Sequence, residues 1–423
     1  MVKSKVGLFL LFVPFLTGLH LQESSQPEDP GRAAIEAYKA KNYPAYLRNL
    51  IKVREKYPHN LGVLSQVARA HALNDQVAES LALLRLIAEM GGVTDLRHKD
   101  LARLKGLKEL EPIARAFERN RRPLNRSRIA FSIEQKDLIP EGIGYDDRER
   151  AFYVGSIYRN KIVRVDENGQ TEDLIGEKQD GIAEVLGLRV DSPRRLLWVC
   201  ASHRDSGGEG NSTSAVYKYD LRNRRLLRRY DSRSLPGKHL FNDIIPAKSG
   251  DVFLTDSEAR SVLKISRETD ELEVLIPSGS FSYPNGIALS SDERHLFVAD
   301  QRGIHRFALQ DAKLLLIKHA QTVSLAGVDG LYAWSGGLVG VQNGFTPERI
   351  IRVRLNESQD TASEVQVLES NHSLFAIPTT GAVVSRDFYF IANSQLSHLD
   401  EKGRLVNEET LKKPVILVVP FGG

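Results

Sequence analysis

The sequence predicts a mainly β chain, a six-bladed β-propeller preceded by a short α-helical N-terminal region. Apolar residues recur at intervals of three and four between Gly31 and Asn120, and from Ile129 on the chain changes to short alternating runs. Within that second stretch one unit recurs six times. The 423 residues allow two or three domains at about 100–200 residues each. Lys and Arg number 58 against 54 Asp and Glu, a net charge of +4 without a basic block, so nucleic acid is not an expected partner. Cys200 is the single cysteine and lies in the apolar run Leu196–Cys200. No intramolecular disulfide or thiolate zinc cluster can form, and the thiol reads as a core residue.

At the amino terminus Lys3 and Lys5 precede an apolar run from Val6 to Leu16. Residues 1–19 are expected to be a signal peptide or a retained signal anchor, which implies export to a periplasmic or extracellular location. Residues 20–31 read as a linker. Asn125, Asn211, Asn356 and Asn371 each begin an Asn-x-Ser/Thr triplet, relevant only in a host that glycosylates exported proteins.

In residues 32–120, Ala34, Ala37 and Tyr38, then Val67, Ala68, Ala70, His71 and Ala72, mark helix faces. The pairs Asn42-Tyr43 and Asn74-Asp75 fall about 32 residues apart, each between two helical runs, and a third pair fits Leu101 to Phe117. This segment resembles a short array of tetratricopeptide helix pairs, which implies a groove for a protein partner. A helical cap packed against the next domain fits the same pattern. A linker at 121–127 follows, around Arg121-Arg122-Pro123.

Residues 128–421 hold the repeats. Their inner strands start at Glu141, Leu186, Asn242, Asn285, Asp329 and Thr380, at intervals of 45, 56, 43, 44 and 51 residues. Units of about 48 residues hold four strands each, the arithmetic of propeller blades. The longest interval contains the loop Asp205–Ser212. The runs 129–133 and 414–421 are left over, and one of them is expected to complete the last blade.

Inner strands of a propeller begin at one mouth of the central channel, so their first residues converge. Four of the six carry a carboxylate or amide oxygen: the acids Glu141 and Asp329 and the amides Asn242 and Asn285. Without histidine or cysteine this is a hard-cation set, suited to one Ca²⁺ or another divalent cation per chain. Singly, Asn-Gly and Asp-Gly are ordinary turn formers. Four polar residues in register at strand starts favour a shared site.

Pro140-Glu141-Gly142, Phe241-Asn242-Asp243, Pro284-Asn285-Gly286 and Val328-Asp329-Gly330 resemble successive signatures of the senescence marker protein/gluconolactonase/luciferin-regenerating-enzyme-like propellers. That superfamily also contains the paraoxonases and strictosidine-synthase-like proteins. The resemblance covers Ile129 to Phe421. It implies that Glu141, Asn285 and Asp329 bind the cation, that Asn242 is a fourth ligand or holds a metal-bound water, and that the substrate is a lactone, aryl ester or phosphotriester. The chain departs from its relatives at three places. Leu240 replaces a sugar-contacting arginine of the gluconolactonases, and Leu186 a histidine of the paraoxonases. Asp243 is similar to an acid of the paraoxonases' second calcium site, but Gly142 stands where those enzymes carry another acid. Pro284 to Ser290 is also similar to strictosidine-synthase-like sequences.

Loops after the second strands rim the same mouth. Expected substrate contacts are His203, Asp205, Asp256, Asp300, Gln342, Asn343, Phe345 and Asn393, with Leu240, Phe241 and Tyr283 as apolar wall. His203 and Asp205 form a candidate proton shuttle. The expected activity is metal-dependent hydrolysis of a lactone or other carboxylic ester, with catalytic roles for Asp329 as general base and for Asn242. The rival is a binding or scaffold propeller of the cell envelope, its cation structural or absent.

Overall fold

The structure is a computed structural model, and it describes residues 29–203, 213–334 and 336–420. The predicted signal at 1–19, most of the 20–31 linker and the insert at 205–212 lie outside the described residues. No helix among the described residues is long and apolar enough to cross a membrane.

Six four-stranded antiparallel sheets form the propeller. Their inner strands are Pro140–Asp146, Glu184–Asp191, Phe241–Pro246, Ile287–Leu289, Leu331–Trp334 and Gly381–Val384, defining blades 1 to 6 in chain order. In blades 1 to 5 the strands follow the sequence from inside to outside. Blade 6 does not. Its third strand is Val415–Pro420 and its outermost strand is Arg128–Ser132, paired Arg128 to Val418 and Ser132 to Val415. Both leftover runs are therefore used, where one was expected to suffice. A four-stranded blade needs one strand from each end of the propeller, and this latch removes the exposed edges an open ring would carry.

Core side chains sit between successive blades. Val154, Ile143, Ile391 and Ile416 fill the junction of blades 6 and 1, and Val185, Leu188, Tyr153 and Ile162 that of blades 1 and 2. Near the channel the blades approach so closely that only glycine fits. A Cβ on Gly142 would stand 2.1 Å from the Leu186 carbonyl oxygen, and one on Gly286 would stand 2.3 Å from that of Asp329. These contacts draw the strand starts into one ring.

The helical region contains α1 (Pro30–Lys39), α2 (Tyr43–Lys56), α3 (Leu61–Leu73), α4 (Val77–Glu89) and α5 (Leu110–Asn120). Asp29, Asn42 and Asn60 cap α1, α2 and α3 through side-chain oxygens that accept backbone N–H groups. Asn74 ends α3 and ties the two helix pairs together, donating to the Tyr43 carbonyl at 2.9 Å and the Ala70 carbonyl at 2.7 Å. The third pair is uneven, a 3₁₀ turn at Lys99–Leu104 followed by α5.

This region docks on the mouth side of blades 4 and 5. Tyr57 Oη lies 2.7 Å from Ser282 Oγ, Asn60 Nδ2 donates to Gln301 Oε1 at 3.2 Å, and Ser324 Oγ donates to the His59 carbonyl at 2.7 Å. Val93 N–H donates to the Thr346 carbonyl at 2.9 Å.

Candidate metal centre and its surroundings

Register fixes which residues face the mouth. Ile143, Leu188, Ile244, Ile287 and Leu331 stand at matching places on the inner strands of blades 1 to 5, and Gly381 matches them in blade 6. Two residues earlier lie Glu141, Leu186, Asn242, Asn285, Asp329 and Thr379. Thr379 thus replaces Thr380 as the blade-6 position, a shift of one residue that the sequence could not resolve within Thr379-Thr380-Gly381. Both threonine hydroxyls donate to the Glu141 carbonyl.

The residue two places before the mouth has positive φ in four blades: Ile139 (43°), Tyr283 (59°), Gly327 (70°) and Ile377 (60°). For Ile139 and Ile377 this is a costly conformation, since a β-branched side chain disfavours it, and the following Pro140 and Pro378 restrict the backbone further. Such strain persists only where the surroundings hold it. Here it turns the chain sharply just before Glu141, Asn285, Asp329 and Thr379.

Glu141, Asn242 and Asp329 are 5, 7 and 8% exposed. Asn343 Nδ2 donates to Asp329 Oδ2 at 2.5 Å and to the Pro378 carbonyl at 2.9 Å, and the Asn285 side chain hydrogen-bonds the same carboxylate. Asn242 Nδ2 donates to Ser257 Oγ at 3.0 Å, which directs its amide nitrogen away from any cation. Glu141 Oε2 and Asp329 Oδ1 are buried without a hydrogen-bond donor. Burial, with Asp329 and Asp243 close by, pushes the Glu141 carboxyl well above the usual range, and Arg189 only partly offsets this. Burial also pushes Asp329 up to about 7, against the opposing bonds from Asn343 and Asn285.

Two buried carboxyls with orphaned oxygens beside two amides fit a hard divalent cation, whose charge and oxygen preference would satisfy what the protein leaves open. Among the described residues no three His, Cys, Asp or Glu side chains gather to hold a metal unaided. A cation here would need the amide oxygens of Asn242 and Asn285 beside the two carboxylates. Asp243 is committed elsewhere. Its Oδ2 accepts Arg189 Nη2 at 3.0 Å and Ile287 N–H at 3.2 Å, and Oδ1 accepts Ile244 N–H at 2.9 Å. The Arg189 guanidinium stacks 4.3 Å from the Tyr332 ring centre.

The expected rim residues divide into two groups. Asp256, Asp300, Gln342 and Asn393, at the ends of second strands, are buried and stitched into the framework. Asp300 accepts Ser282 N–H at 2.8 Å and is paired with Arg302 and His305. Gln342 donates to the Ser324 and Ala326 carbonyls, and Asn393 donates to the Lys413 carbonyl and accepts Val415 N–H. Ser257 and Asn343, one residue further on, are the ones that reach the mouth residues. Phe345, expected on the pocket wall, is 1% exposed and lies in the core of the helical region, its ring 3.5 Å beneath Arg349. Phe241 is likewise packed between blades 2 and 3. Leu240 and Tyr283 are half-buried, and His203 is exposed at the end of its strand. Asp205 lies outside the described residues, so the structure does not bring the His203–Asp205 pair together. Clefts of about 140 and 160 Å³ occur at the opposite end of the blades, around Trp198 and Lys218 and around Trp334 and Asn356.

Sequence reasoning missed His239, which lies 2.5 Å through Nδ1 from Asp256 Oδ2. A signal was present, since His239 stands three residues before Asn242 in a mouth loop, and Phe241, next to that asparagine, pairs in register with Asp256.

Among solved structures, the luciferin-regenerating enzyme superposes with a TM-score of 0.50 at 12% identity, over 70% of this chain and 96% of that one. The chain shares its six-bladed propeller fold. A gluconolactonase from Xanthomonas campestris (TM-score 0.46, 15% identity, 70% of this chain and 95% of that one) and streptogramin B lyase (TM-score 0.46, 16% identity, 69% and 96%) are also similar. No family model matches the sequence, nor does any curated protein. Likeness at this level is likeness of fold, and function must be argued from the site.

Proposed function

We propose that the chain is a divalent-cation-dependent hydrolase of lactones or other carboxylic esters, working at the propeller mouth. The observation that carries this reading is the pair of orphaned buried oxygens, Glu141 Oε2 and Asp329 Oδ1, set among Asn242 and Asn285. These four residues would hold the cation, Ca²⁺ by the chemistry of the donors. When bound, the cation supplies polarisation of an ester carbonyl and neutralises charge that develops on its oxygen.

Asp329 is the general base of the proposal. Its buried Oδ1, which accepts no hydrogen bond from the protein, would take the proton from water. Asn343 and Asn285 fix its orientation through hydrogen bonds, leaving Oδ1 free. Glu141 supplies charge, and the threonine hydroxyls of blade 6 anchor its backbone. Leu240 and Tyr283, half-buried beside the mouth, offer apolar contact to an acyl or aryl group.

Metal analysis of purified protein by plasma mass spectrometry, with melting curves in Ca²⁺ and in chelator, tests the centre. About one equivalent of calcium and a lower melting temperature in chelator are expected. Turnover of lactones and aryl esters, lost in Asp329→Asn, tests the chemistry. Absence of both metal and chelator effect, or full turnover in Asp329→Asn, refutes it.

A further inference from the structure

The mouth side holds a second pair of groups for which the reading above has no use. His239, in the loop leading into blade 3, is 5% exposed. Its Nδ1 lies 2.5 Å from Asp256 Oδ2, while its Nε2 is buried without a hydrogen-bond partner. The pair is held from several sides. Asp256 Oδ1 accepts the N–H groups of Leu240 at 3.0 Å and Ala259 at 3.1 Å, and Ser214 Oγ donates to the His239 carbonyl at 3.0 Å. The Phe241 ring stands edge-on to the imidazole, 6.1 Å between centres.

Comparison with blade 4 sharpens the point. Asp300, at the same strand end, is paired with both the Arg302 fork and His305 and caps its loop, a sufficient structural role. The imidazole that faces Asp256 instead lies in a mouth loop, three residues before Asn242, and its far nitrogen is left open. A buried polar atom without a partner is costly, and native structures keep few of them without a function or a bound molecule. The pair also stands next to the mouth. Asp256 and Ser257 are consecutive, and Ser257 holds the mouth amide of Asn242. One strand end therefore positions both the imidazole and a proposed cation ligand.

We propose that His239 delivers the proton to the departing alkoxide of an ester bound at the mouth, and that Asp256 fixes the tautomer and orientation of its ring. This rests on the hydrolase reading above and adds the acid that Asp329 cannot supply while it acts as base. Water forms the new bond to the acyl carbon and gives its proton to Asp329. The acyl carbon–oxygen bond breaks, its electron pair stays with the alkoxide, and that oxygen takes the proton from Nε2. Exchange with solvent removes the proton from Asp329 and returns one to the imidazole. An imidazole backed by a carboxylate is suited to this task.

The test is leaving-group dependence, which a merely structural histidine would not alter. Calcium-loaded wild type, His239→Gln and Asp256→Asn are compared on 4-nitrophenyl acetate, whose leaving group departs without protonation, and on ethyl acetate, whose leaving group needs it. The expected result for His239→Gln is a near-wild-type rate on the aryl ester and a loss of about 100-fold on the alkyl ester. Asp256→Asn keeps acceptors for the Leu240 and Ala259 N–H groups and should show the same selectivity with a smaller loss. Equal loss on both esters in both variants, or no loss on either, overturns the proposal and leaves the hydrolase reading intact. Failure of the wild type to cleave either ester overturns both.

Discussion

Asn343 donates its amide to Asp329 Oδ2 at 2.5 Å and, from the same nitrogen, reaches the Pro378 carbonyl at 2.9 Å, so one rim residue joins the blade-5 acid to the strained turn before blade 6. The bond stabilises the ionised carboxylate and opposes the burial that pushes Asp329 up to about 7. Asn343→Leu removes the donor without creating a charge. Its calcium affinity at pH 7 should fall by about 10- to 100-fold, the usual effect of losing a residue that orients a ligand. Most of the loss should be recovered at pH 9, where Asp329 is ionised regardless. Titration calorimetry at the two pH values checks this, and a loss of equal size at both would refute it.

The pH dependence of stability follows from the same groups. Burial raises Glu141 well above the usual range and Asp329 and Glu348 to about 7. Unfolded carboxyls titrate near pH 4, so between about pH 4 and 7 the folded, cation-free chain holds protons that the unfolded chain has released. Stability therefore falls as pH rises through that window. Carboxyls held below their ordinary values, such as Asp137 beside Arg159, lose their contribution only at lower pH. In chelator the melting temperature should be lower at pH 8 than at pH 5.5, and saturating calcium should narrow the gap. Glu141→Gln should raise the chelator value at pH 8 and abolish the calcium effect. A chelator value that rises from pH 5.5 to 8 would contradict the assignment.

Six blades were legible because each repeats a period-two pattern and five of the six have a polar residue at the strand start, and that spacing led to Glu141, Asn242, Asn285 and Asp329 as one set. The exchange of Thr379 for Thr380 shows the limit. Two adjacent threonines before a glycine offer no sequence contrast, and register is set by pairing across to Phe390. The rim was harder to read, since strand-end residues alternate in direction. Asp256, Asp300, Gln342 and Asn393 turn into the framework, whereas Ser257 and Asn343 turn to the mouth. Phe345 was misplaced because its partners belong to helices more than 200 residues earlier in the chain, a contact no local pattern reveals. His239 stayed hidden because it lies in a loop and its partner Asp256 is 17 residues away, at the end of the second strand of blade 3.

Asn60 and Asn42 separate docking from capping. Both cap a helix, but only Asn60 also donates across to Gln301, at 3.2 Å. Asn42→Ala should cost about 1 kcal/mol, the price of a lost cap. Asn60→Ala should cost about 2 kcal/mol, the additional part reflecting the lost bond between the two regions. Asn60→Asp keeps the cap and loses the donor, so it should fall between them. Denaturant titration of the three variants checks the order, and equal losses at Asn42 and Asn60 would assign the docking bond no net effect.

Arg349 is the joint between the helical region and blade 5. Its Nε donates to Gln342 Oε1 at 2.6 Å and its Nη1 to the Met90 carbonyl at the end of α4 at 3.1 Å. Burial among neutral acceptors pushes the guanidinium down to about 9, and the carbonyls at the C-terminal end of a helix are a suitable counterpart for its charge. Arg349→Met keeps bulk over Phe345 but removes all the guanidinium donors, including Nη2, which reaches the Ser324 carbonyl at 3.4 Å, while the buried charge it eliminates was itself costly. Global stability is thus a poor readout, and local opening is the informative one. Amides of α4 and the following turn to Val93 should exchange faster in Arg349→Met, while calcium affinity is unchanged because none of these bonds reaches Asp329. Arg349→Lys, which keeps the charge but lacks the fork that spans separated acceptors, should give an intermediate rate. Hydrogen exchange read by mass spectrometry decides the matter, and wild-type protection of α4 in Arg349→Met would mean that the Asn60 and Tyr57 contacts hold the helical region in place unaided.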